Sequence, residues 1–330
     1  MPEATPEQVT GMWPMLAAEL AAAKTVVIGT HVNPDGDALG SALALSLALD
    51  QLQIEHEVLC AHEAPKYLRF LPGIDRLKHQ SSYKEPDLGI VVDLESMPRL
   101  GSVCSAIESA NRIVVIDHHQ PHEQPGDVRI IAVKAPATAA ILADLFRESP
   151  VEITPDIATC LLTGILTDTG NFRYPNATSH SLRLSAELLE MGGDLRKVNE
   201  NVHLTKSLPA MRLFGIALDH MKLALNEQVA WTTISQDDLE RTCAKEEDTE
   251  GFVNELLAIE SVKIAALLRE GSSGRIKISL RSRGKVDVTA VARQFEGGGH
   301  INAAGASHDG PMAVAEQEIS EAMIQCLASS

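Results

Sequence analysis

With 330 residues, 45% of them apolar and 22% charged, and a mean hydropathy near zero, the chain is not of the disordered, collagenous or disulfide-scaffold classes, and it is long enough for two domains with separate cores. A formal net charge of -17 argues against broad, non-specific binding of nucleic acid, which depends on cations displacing counterions from phosphates, and leaves room for a narrow cationic site. No run approaches the roughly 18 apolar residues of a membrane span, and MPEATPEQVT lacks the basic-then-apolar pattern of a secretory leader, so a cytoplasmic protein with no membrane partner is expected.

In chain order, TVVIGT at 25–30 reads as a first buried strand, followed by a loop with Pro34 and Gly36 and by LGSALALSLALDQL, an apolar helix against the sheet. LGIVVDL at 88–94 and NRIVVIDHH at 111–119 repeat the strand pattern, each ending in acidic or histidine residues. A helix over 157–166 runs into a Thr-Asp-Thr-Gly turn, and a second over 179–191 is closed by Gly192 and Gly193. The stretch from about 195 to 225 is helical with no strand signal and reads as a connector. VAWTTI, a charged helical stretch through Ile259, KIAALLRE and RIKISLRS then form a smaller domain of mixed helices and strands with a glycine cluster at 297–299. The expected organisation is α/β: a parallel-sheet domain over 1–195, a helical linker over 196–225 and a mixed α/β domain over 226–330. Cys60, Cys104, Cys160, Cys243 and Cys326 are odd in number and form no CxxC pair, which points to buried thiols and away from disulfides or a zinc knuckle.

The first three strands all end in ionisable residues: HVNPDGD, then Asp93, then Asp117-His118-His119. In open parallel sheets the carboxyl ends of the strands line the binding crevice, so these groups should converge, joined by Asp168 if its turn lies on the same edge. The candidate ligands are His31, Asp35, Asp37, Asp93, His118 and Asp168, with His119 adjacent. Four carboxylates and two imidazoles without a thiolate suit Mn²⁺ or Mg²⁺ better than structural zinc. Six donors exceed the needs of one ion, and a carboxylate shared by two ions about 3.5–4 Å apart would use them all. Singly, DGD is an ordinary turn, and Asp93 or Asp168 an ordinary cap. The conjunction on one sheet edge favours the metal reading, because so many buried charges would repel each other without a cation.

HVNPDGDALGS, VVDLES with MPRLG, VIDHH and TGILTDTGNFRY resemble the four successive motifs of the DHH phosphoesterase superfamily, and SLRSRGKVDVTAVARQFEGGGHINAAG is similar to its DHH-associated C-terminal domain. The combination most resembles the NanoRNase/pAp phosphatase (NrnA-like) family, over about 24–305. That resemblance implies one metal on His31, Asp35 and Asp93 and a second on Asp37, Asp93, His118 and Asp168, with manganese the usual ion and magnesium an alternative. It also implies a role for His119 as phosphate ligand or general acid, the bland alternative being a histidine packed behind the site.

Between 269 and 293 seven basic residues face two acidic ones, enough cationic charge to hold an anion. Within this region Gly298 and Gly299 let a backbone approach a phosphate, and with His300 and Arg281 they read as an anion site; Arg283, Asn302 and Arg99 are further candidates. Glu296 and Ile301 depart from the family's common pattern and leave substrate preference less secure than metal chemistry. The expected reaction is two-metal hydrolysis of short oligoribonucleotides to 5′-mononucleotides and of 3′-phosphoadenosine 5′-phosphate (pAp) to AMP, with the second domain closing over the substrate and gauging its length. The rivals are linear or cyclic dinucleotides such as pApA or c-di-AMP, more remotely pyrophosphate or long single-stranded DNA, and a non-catalytic nucleotide-binding regulator on the same fold. Eleven aromatic residues offer few stacking platforms, so base recognition should be loose. A homodimer fits the family, though no residue pattern demands it.

Overall fold

The computed structural model describes residues 11–94, 96–120 and 125–328, the side chain of His300 excepted. It divides into two compact units, Met1–Thr205 and Lys206–Ser330. In the first, helix α1 (Trp13–Ala22) precedes β1 (Thr25–Gly29), α2 (Gly36–Gln51), β2 (Glu55–Leu59), β3 (Leu77–Lys78), β4 (Leu88–Val92), α3 (Cys104–Glu108), β5 (Arg112–Asp117) and β6 (Val128–Ile131), with α4 (Thr138–Arg147), α5 (Pro155–Asp168), α6 (Ser179–Glu190) and α7 (Leu195–Val202) after them. The six strands form one parallel sheet in the order β3-β2-β1-β4-β5-β6.

The β-branched runs of β1, β4 and β5 are central because both of their faces are covered. Alternate residues serve opposite cores: Val26 and Ile28 pack with Leu39 and Leu43 of α2 and Leu161 of α5, whereas Val27 packs with Leu100, Val103 and Ile107 on the other side. The chain adds strands outward from β1 to β3 and then returns to place β4 on the opposite side of β1, so the sheet reverses direction of growth between β1 and β4, where α/β folds bind ligands.

The strand-poor reading of 195–225 needs correction. The stretch holds α7, the division between units, and, in the second unit, α8 (Leu208–Asp219) and the short strand β7 (Lys222–Ala224), whose exposed residues carry no apolar alternation. There follow β8 (Val229–Ile234), α9 (Gln236–Thr242), α10 (Phe252–Leu257), β9 (Ile264–Glu270), β10 (Ile276–Ser282), α11 (Thr289–Ala292), β11 (Gly298–His300), β12 (Ala303–His308) and α12 (Met312–Ala328). This sheet runs β11-β12-β10-β9-β8-β7, antiparallel except for the β8–β9 pair. α8 and α10 cover one face with Leu213, Phe252 and Leu256, and α11 and α12 the other with Val291, Ile319 and Met323. No helix among the described residues is long and apolar enough to cross a membrane.

Candidate metal centre

Each acidic or imidazole group on the sheet edge is placed by a short local device. His31 follows β1. Asp35 caps α2, its Oδ1 accepting the N–H groups of Asp37 and Ala38 at 3.0 Å each. Asp37, in the first turn of α2, reaches across to α4, where Thr138 N–H donates to its Oδ2 at 2.6 Å and Ala139 N–H to its Oδ1 at 2.9 Å. α4 has no cap of its own, so Asp37 satisfies the open N–H groups of a neighbouring helix. Asp93 leaves β4 with φ at 55°, a left-handed conformation uncommon outside glycine, held by its N–H donating to Ile116 of β5 at 3.1 Å. His118 and His119 follow β5. Asp168 is the last residue of α5, which runs past the turn expected at this point and ends with Thr169 as C-cap.

The six predicted ligands come together. His31 Nε2 lies 3.8 Å from Asp35 Oδ2 and 3.5 Å from Asp93 Oδ2. His118 Nε2 lies 3.8 Å from Asp37 Oδ2, 3.6 Å from Asp168 Oδ2 and 3.6 Å from Asp93 Oδ1. In each of the groups His31–Asp35–Asp93 and Asp37–His118–Asp168 the donor atoms lie within 4.8 Å of one another. Asp93 therefore faces one group with Oδ2 and the other with Oδ1. The imidazoles are fixed behind: His31 Nδ1 donates to the Val32 carbonyl at 2.8 Å and His118 Nδ1 to the Ala135 carbonyl at 3.3 Å, which turns each Nε2 toward the carboxylates.

Burial makes this cluster electrostatically unbalanced. It drives the carboxyls of Asp37 and Asp168 well above their usual range, and the charge of Asp93 adds to the rise in both. Asp93 is buried too, yet the hydrogen bond from His31 and the charges of the surrounding imidazoles hold it low. For His31, burial opposes protonation, but Asp93 and Asp35 prevail and raise it, with Arg99 acting in the other direction. His119 is pushed up to about 10: burial would lower it, but the hydrogen bond to Asp117 and the charge of Asp93 outweigh that. A set of oxygen and imidazole donors whose carboxylates repel each other, buried except for the exposed Asp35 and the partly buried Asp168, and that contains no thiolate, fits hard divalent cations.

Three positioning residues were not among the candidates read from sequence. Asp117 is buried and its Oδ1 accepts the N–H groups of His118 at 2.8 Å and His119 at 3.1 Å and the Nδ1–H of His119 at 2.7 Å; its position within the DHH triplet was the available signal. Thr138, fully buried, donates its hydroxyl to Asp93 Oδ1 at 3.2 Å. Gly164 allows α5 to lie against α2 and α4: a Cβ there would fall 2.6 Å from both Asp37 Oδ1 and Ala139 Cβ. Nothing in the sequence near Thr138 marks it, and Gly164, inside TGILTDTGNFRY, carries no side-chain chemistry that would single it out.

Arg99 lies half-buried on the 3-10 turn Met97–Val103, and its carbonyl accepts the Val32 N–H at 2.7 Å. The other anion-site candidates belong to the second unit. Arg281 pairs with Ala303, and Ala303 with His300, so the three share one row across β10, β12 and β11. The Arg281 Nη1 donates to the Leu280 carbonyl at 3.0 Å, while its buried Nε has no hydrogen-bond partner. Arg283 is exposed. Asn302 is occupied structurally, its Nδ2 donating to Ser282 Oγ at 2.9 Å and to the Gly284 carbonyl at 3.2 Å across the turn after β10. Gly298 and Gly299 form part of β11 rather than an open loop. At Gly299, with φ at 134°, a Cβ would fall 2.5 Å from the Ala303 carbonyl oxygen, so close strand pairing already requires glycine there. The His300 side chain lies outside the described part of the structure.

The N-terminal domain of the DHH family matches residues 25–165 and the DHHA1 domain matches residues 227–329. The bifunctional oligoribonuclease and PAP phosphatase NrnA of Thermus thermophilus is 34% identical, over 86% of this chain and 84% of its own. The protein of the same name from Bacillus subtilis is 28% identical over 86% of this chain and 89% of its own. The crystal structure of an exopolyphosphatase-related protein from Bacteroides fragilis superposes with a TM-score of 0.89 at 29% identity, covering 96% of each chain.

Proposed function

The chain belongs to the DHH family, in its NrnA-like branch, and from that premise we propose that it hydrolyses short oligoribonucleotides to 5′-mononucleotides and pAp to AMP with a pair of divalent cations, manganese being the pair we assign. The observation that carries the two-cation reading is the split of Asp93, whose two oxygens face different donor groups 3.5 and 3.6 Å away. In this reading His31, Asp35 and Asp93 hold one ion and Asp37, Asp93, His118 and Asp168 the other. Bound there, the cations supply a water ionised near neutral pH and neutralise charge on the phosphoryl oxygens.

The chain's own residues do the positioning. Asp37 holds its place through α4, so the carboxylate that serves the second ion is fixed before metal arrives. Asp117 fixes the His119 ring through Nδ1, and we assign Nε2 the contact with the phosphate or the leaving oxygen. In the second unit we assign phosphate binding to Arg281 through its unpaired Nε–H, with Arg283, the β11 backbone at Gly298 and Gly299, and His300 as further contacts; Arg99 and Asn302 stand as weaker members of the same set. We place the activity in the cytoplasm, and a homodimer is compatible with it.

The test is Mn²⁺-dependent hydrolysis of pAp and of 5′-labelled RNA of two, five and twenty-four nucleotides, with Asp93→Ala alongside. Rapid mononucleotide release from the two shorter RNAs, and loss of turnover by about a hundredfold or more in Asp93→Ala, is expected. Equal cleavage of the twenty-four-nucleotide RNA would refute the short-substrate assignment. Cleavage of pApA or c-di-AMP in place of all these would make the protein a dinucleotide phosphodiesterase, and nucleotide binding without turnover would make it a regulator.

A further inference from the structure

Asn176 stands eight residues beyond Asp168, past a turn in which Gly170, Asn171 and Phe172 are all left-handed. Its Nδ2 lies 3.0 Å from the Pro136 carbonyl oxygen, 3.1 Å from the Asp168 carbonyl oxygen and 3.4 Å from Asp168 Oδ2. Three acceptors round one amide nitrogen settle the orientation of the side chain, since the flipped amide would set Oδ1 against three oxygens. Pro136 lies two residues before Thr138, whose N–H and hydroxyl hold Asp37 and Asp93. One amide thus joins the end of α5, which presents Asp168, to the start of α4, which fixes the other two carboxylates. The Asn176 Oδ1, turned away from all three acceptors, is buried without a hydrogen-bond partner.

We propose that Asn176 is a positioning residue that sets the Asp168 carboxylate, and through it the affinity of the Asp37–His118–Asp168 group for its cation. The proposal rests on the two-cation reading above. A substrate role is not part of it: Asn176 acts through Asp168. Partners of this kind behind a metal ligand are typically worth 10–100-fold in metal affinity or activity.

The test is Mn²⁺ uptake by the full chain, measured by calorimetric titration and electron paramagnetic resonance without substrate, for the wild type, Asn176→Ala and Asn176→Leu. The leucine keeps the number and branching of the side-chain heavy atoms while removing both amide donors and the carbonyl acceptor. The expected result is two ions in the wild type, and in both variants an affinity lowered about 10–100-fold for one ion, with the other ion's affinity and the metal-free melting temperature little changed. Equal weakening of both ions would indicate a general structural role and overturn the proposal, as would two ions bound with wild-type affinity in either variant. A wild type that takes up a single ion would overturn the two-cation reading and this proposal with it, an outcome separated from the others by the wild-type stoichiometry alone.

Discussion

Replacing Gly164 by alanine tests whether the packing of α2, α4 and α5 is set by the proposed metal ligands. In an open helix the exchange gains about 1 kcal/mol, because alanine loses less backbone entropy on folding. At Gly164 the new Cβ would fall 2.6 Å from Ala139 Cβ and 2.6 Å from Asp37 Oδ1. Ordinary contacts lie near 3.5–4.0 Å, so the helices must part by roughly 1 Å. Neither neighbour can yield by rotating, since Ala139 has no free torsion and Asp37 is held by Thr138, Ala139 and Ser41. Overpacking of this kind costs about 1–3 kcal/mol, and with the neighbours fixed the upper end applies, leaving a net loss of about 2 kcal/mol. Gly215 of α8 supplies the internal control: a Cβ there meets nothing within 4 Å, and Gly215→Ala should stabilise the second unit by about 0.5–1 kcal/mol.

The two units need separate reporters, and the two tryptophans provide them, Trp13 in the first and Trp231 in the second. In a Trp231→Phe background, Gly164→Ala should lower the fluorescence melting temperature of the first unit by about 4–8 °C. In a Trp13→Phe background, Gly215→Ala should raise that of the second by a few degrees. Mn²⁺ affinity at the Asp37 group should fall at least about tenfold in Gly164→Ala and stay unchanged in Gly215→Ala. If Gly164→Ala raises the melting temperature and leaves Mn²⁺ uptake intact, the account of the α2–α5 contact is wrong.

Three further outcomes follow from the same structure. Asp168→Asn removes one of the mutually repelling buried carboxyls, so in chelator the melting temperature should rise by the equivalent of about 1 kcal/mol while turnover drops a hundredfold or more; a lower melting temperature in chelator would refute the repulsion argument. Glu57 is 4% exposed and burial alone would raise it, but Lys78, Ser82 and Ser81 hold it down at about 2. The native carboxylate therefore binds fewer protons than the unfolded one: its contribution, of order 3 kcal/mol, is present above pH about 4.5 and is lost as the pH falls toward about 2, so urea midpoints of wild type and Glu57→Gln should differ at pH 7 and converge over that window. Gly299→Ala should destabilise the second unit by more than about 2 kcal/mol and leave Mn²⁺ binding untouched, and a stable variant with weakened pAp binding would instead show the glycine serving the ligand.

What could be read from the sequence, and what could not, divides along a physical line. β1, β4 and β5 are visible because central parallel strands bury both faces and need uninterrupted apolar, β-branched runs, and β8, β9 and β10 because they carry a short apolar run or an apolar-polar alternation. β2, with the sequence EHEVL, and the two-residue β3 lie at or next to a sheet edge, where polar residues interrupt the pattern, and β11 is disguised by glycines that the pairing with β12 requires. The acidic and imidazole groups of the site stood out for a related reason: burying any of them is costly, so four aspartates and two histidines at strand and helix ends needed a chemical explanation. Threonine, asparagine and glycine carry no such cost, and so no signal. Thr138 is 101 residues from the Asp37 carboxylate it holds and 45 from Asp93, and Asn176 is 40 residues from Pro136. No periodicity encodes those separations; they arise only when the parallel sheet brings β1, β4 and β5 side by side and α4 and α5 close over their ends. The proposed ligands are therefore marked by their chemistry along the chain, whereas the residues that set their geometry are fixed by topology. Variation in metal affinity among chains with the same ligands should accordingly trace to positions such as Thr138, Gly164 and Asn176.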